Sequence, residues 1–118
     1  MSFEKRINYI KKNTKLPSYV PLPSSMIGTG LSSSAMILYA ELLNRASLSQ
    51  KNDMTDEFGN VYVIYPIDQL SKRLNLSETQ IKRLIKELVN EGLLKKRSGG
   101  FNKPNHLFVI LPGEQKGT

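Results

Sequence analysis

The chain has 118 residues, 39% of them hydrophobic, no cysteine, and 17 Lys or Arg against 10 Asp or Glu, for a formal net charge of +7. That length suits one globular core better than two, and the lack of cysteine excludes a disulfide framework, a thiolate metal site and a cysteine nucleophile. No apolar run approaches the ~20 residues needed to cross a bilayer, and Met1-Ser2-Phe3-Glu4-Lys5-Arg6 leads into no apolar signal region, so a cytoplasmic protein without a membrane partner is expected.

The charge is segregated. Residues 1–15 hold five basic side chains against one acid and residues 67–103 nine against four, whereas residues 31–60 hold two against four. A surface divided in this way attracts a polyanion, most often nucleic acid.

Residues 1–16 read as a basic arm, either a short helix through Phe3, Ile7 and Ile10 or a loose segment. Pro17, Pro21 and Pro23 force extended backbone around Tyr19, Val20 and Leu22, which predicts a covering strip or edge strand. Gly28-Thr29-Gly30 breaks the chain; without a following lysine or a preceding strand it is a poor phosphate loop. From Ser32-Ser33-Ser34, any of which can cap a helix, Ala35, Leu38, Tyr39, Leu42, Leu43 and Ala46 recur at helical spacing up to Leu48. The polar stretch Lys51–Asn60 followed by Val61-Tyr62-Val63-Ile64-Tyr65 predicts a hairpin leading into a strand. Asp53, Asp56 and Glu57 lack the spacing of a calcium loop and read as a solvated turn.

Pro66 stops the strand, and Ile67, Leu70 and Leu74 mark a short second helix. After the turn Asn75-Leu76, Ser77 and Gln80 fit a capping box, Ile81, Leu84, Ile85, Leu88 and Val89 make an apolar face, and Gly92 closes the third helix. Two strands, from Leu93 to Arg97 and His106 to Leu111, flank the loop Ser98–Asn105. The predicted fold class is therefore α+β, a winged helix-turn-helix with an additional hairpin between the first and second helices. Residues 17–112 form this domain, and 113–118 are expected to be a flexible end.

If Ile81, Leu84, Ile85 and Leu88 are buried, then Thr79, Gln80, Lys82, Arg83 and Lys86 point outward. Gln can bridge an adenine edge, Arg a guanine edge, and Thr a base or a thymine methyl, while lysines supply charge for phosphate. The backbone N–H groups from Ser77 onward can hold a further phosphate. In the wing, Lys95, Lys96, Arg97, Asn102 and Lys103 surround a tip that Gly99 and Gly100 let turn sharply. Each element has a plainer reading, a solvated helix face and an edge hairpin guarded by lysines; their succession favours double-stranded DNA. Phe101 at the tip is expected to fold back on the sheet rather than insert between bases. His106, the one histidine, has no partner at catalytic spacing, so neither an enzyme nor a cofactor or metal site is expected.

The blocks Leu31-Ser32-Ser33-Ser34-Ala35-Met36-Ile37-Leu38-Tyr39, Leu43-Asn44-Arg45-Ala46-Ser47-Leu48-Ser49-Gln50-Lys51-Asn52, Asp56-Glu57-Phe58-Gly59-Asn60-Val61-Tyr62 and Lys103-Pro104-Asn105 resemble the N-terminal domain of RepA-type plasmid replication initiators, over about Tyr19 to Leu111. The resemblance implies a winged-helix domain from a plasmid or mobile element, forming a homodimer on repeated origin sites. It also implies host replication proteins as partners where a C-terminal domain follows. The first helix and its hairpin are the expected dimer interface. A transcriptional regulator of the same fold and a protein-interaction module of a replication or partition complex are the alternatives.

Overall fold

A computed structural model describes residues 9–112. Three helices, α1 Ser33–Lys51, α2 Ile67–Leu74 and α3 Glu78–Asn90, precede a two-stranded antiparallel sheet of β1 Leu94–Arg97 and β2 His106–Val109. This is the expected order of a winged helix-turn-helix, and the reasons for it are largely local.

Of the three candidate serines, Ser32 caps α1, its Oγ accepting from the N–H of Ala35. The apolar stripe buries Ala35, Leu38, Tyr39 and Leu42, while Leu43 and Ala46 are half-buried against the core. The helix runs three residues past Leu48 to Lys51. Pro66 is the residue before α2, its extended backbone (ψ 145°) feeding the first turn. Asn75 ends α2 at φ 56°, a left-handed conformation that Asn tolerates better than most residues.

Ser77 and Gln80 form the expected capping box: Ser77 Oγ accepts from the Gln80 N–H at 3.1 Å, and Gln80 Oε1 accepts from the Ser77 N–H at 2.9 Å. Two otherwise unpaired donors are thus satisfied reciprocally. Ile81, Leu84, Ile85 and Leu88 are buried beneath α3; Val89 lies off that face and is exposed. Gly92, at φ 75°, supplies the positive φ that turns the chain from α3 into β1.

The wing pairs Leu94 with Val109, Lys95 with Phe108, Lys96 with Leu107 and Arg97 with His106. The expected strand 61–65 is reduced to two isolated bridges. Val61 pairs with Thr55, and Val63 exchanges two backbone hydrogen bonds with Leu107, at 2.8 and 2.9 Å. The segment therefore spends its pairing capacity on the wing, as a one-residue third strand, and the Met54–Tyr62 hairpin is only a narrow loop below it. No strand forms at residues 17–27 either. That segment contains a 3-10 helix, Ser24–Met26, which drops Met26 into the core; Leu22 packs against the core as part of the expected covering strip, while Tyr19 is exposed.

Three polar clamps tie these elements together. Glu41, buried in α1, accepts a hydrogen bond from the Tyr65 hydroxyl at 2.7 Å and pairs with Arg73 Nε at 3.1 Å, joining α1 to the end of α2. Arg45 lies over the Tyr65 ring at 4.0 Å. At the start of α1, Glu87 of α3 accepts from both the N–H and the hydroxyl of Ser32. The hydroxyl of Tyr39 donates to the carbonyl of Ile110 at 2.8 Å, fastening the chain beyond β2 to α1.

Candidate nucleic-acid interface

With its apolar stripe in the core and Glu87 turned toward α1, α3 is left with one outward stripe, Thr79, Arg83 and Lys86, spaced by four and three residues and exposed along its length. Lys82 flanks this stripe on the wing side. It lines a cleft of about 440 Å³ together with Tyr65, Pro66, Ile85, Lys96, Lys103 and Asn105. Three lysines that are far apart in sequence, one from α3, one from β1 and one from the wing's return, thus converge on one concavity. Among the described residues, none of the ion pairs engages Lys82, Arg83, Lys86, Lys95, Lys96 or Lys103. Their charge is available to an external anion.

The strand period divides the wing's cations between two faces. Lys96 shares the side of buried Leu94 and its partner Leu107, which is the side that meets α3. Lys95 and Arg97 are on the other side, with Phe108 and the 56–60 loop. There Arg97 Nη2 pairs with Asp56 at 3.5 Å and Glu57 at 3.6 Å, and its guanidinium lies 5.1 Å from the Phe108 ring centre. Arg97 is thus already partnered, and its first role is to brace the wing. Burial alone would raise the Asp56 carboxyl, but the N–H groups of Asn60 and Phe58 and the charge of Arg97 outweigh it and hold the group below the usual carboxylate range. The acids of this turn were legible as a loop; their role as the wing's counter-charge was not, because nothing local signals a contact 41 residues away.

Gln80 is placed less freely than its neighbours. Its Oε1 serves the capping box, so a bidentate hold on an adenine edge, which needs both the oxygen and the amide nitrogen, would open the helix cap. Its NH2 group remains a donor. Ser77 likewise uses its hydroxyl on the Gln80 N–H.

At the wing tip, the Gly100 carbonyl accepts from the Lys103 N–H and the Gly100 N–H donates to Ser98 Oγ. Gly100 and Asn102 both have positive φ, 113° and 59°. Gly99 is required for another reason: a Cβ there would run into the Pro104 carbonyl oxygen of the returning chain. The expectation that Phe101 folds back on the sheet is not met. Held between two residues of positive φ, it is 90% exposed. His106 is stacked on Tyr62, ring centres 4.2 Å apart and planes 11° apart, which gives it a packing role in the wing. Residues 1–8 of the expected basic arm and the expected flexible end 113–118 lie outside the described residues; residues 9–16 are exposed, with one turn closed between Lys11 and Thr14. No helix among the described residues is long and apolar enough to cross a membrane.

The chain is similar to several solved structures. One described as the N-terminal domain of a DNA-binding protein matches with a TM-score of 0.73 at 32% identity, covering 84% of this chain and 79% of that one. A Rep–DNA complex matches at 0.72 and 32% identity, with the same coverage. A structure described as an MDR initiator matches at 0.70 and 34% identity, covering 84% of this chain and 81% of that one. A 41 kDa protein of Lactobacillus helveticus is 26% identical over 104 residues, 83% of this chain, and the match spans 29% of that protein's length. Residues 18–111, which contain all three helices and the wing, match the family described as replication initiator protein A (RepA) N-terminus, and the chain belongs to that family.

Proposed function

We propose that this chain binds double-stranded DNA sequence-specifically as the DNA-reading domain of a replication initiator, with α3 in the major groove and the wing against the adjacent backbone. The observation that carries this reading is the convergence of Lys82, Lys96 and Lys103 on one cleft, beside the free stripe of Thr79, Arg83 and Lys86. A phosphate strand seated in that cleft meets three unpaired ammonium groups while Arg83 and Thr79 face the base edges. A similar chain has been solved as a Rep–DNA complex, which supports DNA binding as the activity. The chain acts by binding and not by catalysis, in the cytoplasm, where plasmid origins reside.

A titration with random-sequence duplex at low and moderate salt tests the reading. Binding whose logarithm falls linearly with log salt is expected, followed by enrichment of one repeated motif when the chain selects from a random pool. Absence of binding at low salt would overturn it and leave the protein-interaction alternative standing.

The reading includes a homodimer on repeated sites. Its support is a shallow apolar groove beside the C-terminal half of α1, lined by Pro21, Leu43, Ala46, Val61, Val109 and Leu111, on the part of the chain that DNA reading leaves unused. Sedimentation as a monomer at high concentration would refute this part alone. Partners in the host replication machinery are part of this reading only where a further C-terminal domain follows the DNA-reading one.

A further inference from the structure

A large aromatic side chain left almost wholly in water is unusual at the end of a tight turn, where a small polar residue would serve the backbone as well. Phe101 is such a residue. Its neighbours Gly100 and Asn102 are locked in left-handed conformations, and the Lys103 N–H closes the turn on the Gly100 carbonyl. The ring is thus presented on a short, hydrogen-bonded loop and not on a slack one. The aliphatic stem of Lys103 runs beside Gly100, 3.8 Å from where a Cβ would stand, and Lys103 lines the cleft that also holds Lys82 and Lys96. The apolar tip therefore projects next to the cluster of free cations on the face assigned to the DNA backbone.

We propose that Phe101 is an apolar wedge that enters the minor groove of the duplex and packs against a base step, while Lys96 and Lys103 hold the flanking phosphates. This deepens the DNA-binding reading and rests on it. A duplex backbone held by those lysines presents its neighbouring groove to the tip, and apolar wedges in that groove gain contact by partly unstacking a step. The contact prefers A·T pairs, because G·C pairs place an amino group on the groove floor where the ring must sit.

The test uses the full 118-residue chain, with a labelled duplex that the chain has selected from a random pool, read by fluorescence anisotropy. Phe101→Ala is expected to weaken binding roughly tenfold, within the range of one aromatic–base contact, with an unchanged salt slope because no charge is lost. Phe101→Leu should retain most of the affinity, and exchanging A·T for G·C pairs under the wing should weaken the unaltered chain but not Phe101→Ala. Thermal unfolding of the variants checks that the fold is intact, which the exposure of the ring makes the expected result. If the unaltered chain binds and Phe101→Ala binds equally well, the wedge is refuted and the DNA reading stands; Phe101 is then left for a protein contact. If the unaltered chain selects no duplex, both fall together.

Discussion

Glu87 of α3 grips the N-cap of α1: its two oxygens accept from the N–H and the hydroxyl of Ser32, each at 2.9 Å. The same hydroxyl accepts from Ala35, so one serine both starts α1 and locks the position of the helix assigned to the major groove. Glu87→Ala removes two charge-assisted bonds in a partly exposed setting and should destabilise the domain by about 1–2 kcal/mol. A urea midpoint identical to that of the parent chain would mean that water replaces the carboxylate at no cost.

The clamp between α1 and α2 leads to a second expectation, at alkaline pH. Burial first, and then the hydrogen bond and charge of Glu41, push the Tyr65 hydroxyl above its ordinary value; burial does the same for Tyr39. For an acid raised on folding, the unfolded chain loses its proton first. The associated stability is thus complete below the ordinary tyrosine range and is lost as pH rises through the folded value. Denaturation curves should show stability falling from about pH 10 upward, and Tyr65→Phe should flatten that fall. At neutral pH the same substitution should cost about 1 kcal/mol, the loss of one hydrogen bond, whereas Glu41→Ala, which leaves the Tyr65 hydroxyl without its acceptor and returns the half-exposed Arg73 to water, should cost about 1–2 kcal/mol.

Asp56 has the opposite sign. Its carboxyl is lowered on folding, so its contribution is present above the ordinary carboxylate range and disappears as pH drops through the folded value. Because Asp56 both orders the 56–60 loop and pairs with Arg97, the wing should loosen before the helices do. Amide exchange measured during acid titration should report wing residues opening first in the parent chain, and already open at neutral pH in Asp56→Ala. Simultaneous loss of protection in the wing and α3 would contradict the brace.

The two faces of the wing predict unequal lysines. Lys96→Ala, on the side of the cleft, should weaken binding to all duplexes alike and lower the salt slope by about one. Lys95→Ala, on the far side, should do markedly less. Arg83→Ala should instead relax sequence preference, by about 1–3 kcal/mol at one base pair. Equal effects of Lys95 and Lys96 would contradict the assignment of faces.

Where the sequence was informative, the signal was local. The capping box at Ser77 and Gln80, the left-handed Gly92 and the stripe Ile81, Leu84, Ile85 and Leu88 lie within a few residues of what they determine and are all present, although Val89, which has the same spacing, lies off the buried face. The run Val61–Tyr65 has the composition of a strand, but it forms only two isolated bridges, Val61 with Thr55 and Val63 with Leu107, the second 44 residues on. Glu41, Glu87 and Asp56 are charged, so pattern reading places them in water; each instead has a partner supplied by tertiary structure. Phe101 misled in the other direction, because hydrophobicity predicts burial only where some surface is available to cover the ring. The lysines are evident in the sequence, but their division into a cleft set and a far-side set requires the register.

The cleft's composition has a thermodynamic corollary. Its three cations come from a helix, a strand and a returning loop, so the site exists only in the assembled chain, and an unfolded chain of the same net charge has nothing comparable. A duplex that occupies it therefore acts as a folding ligand, raising the melting temperature with its concentration by mass action. Conversely, a substitution far from the cleft that lowers stability also dilutes the population able to bind. Weakened binding in a core variant thus needs comparison with its folded fraction before it is assigned to recognition.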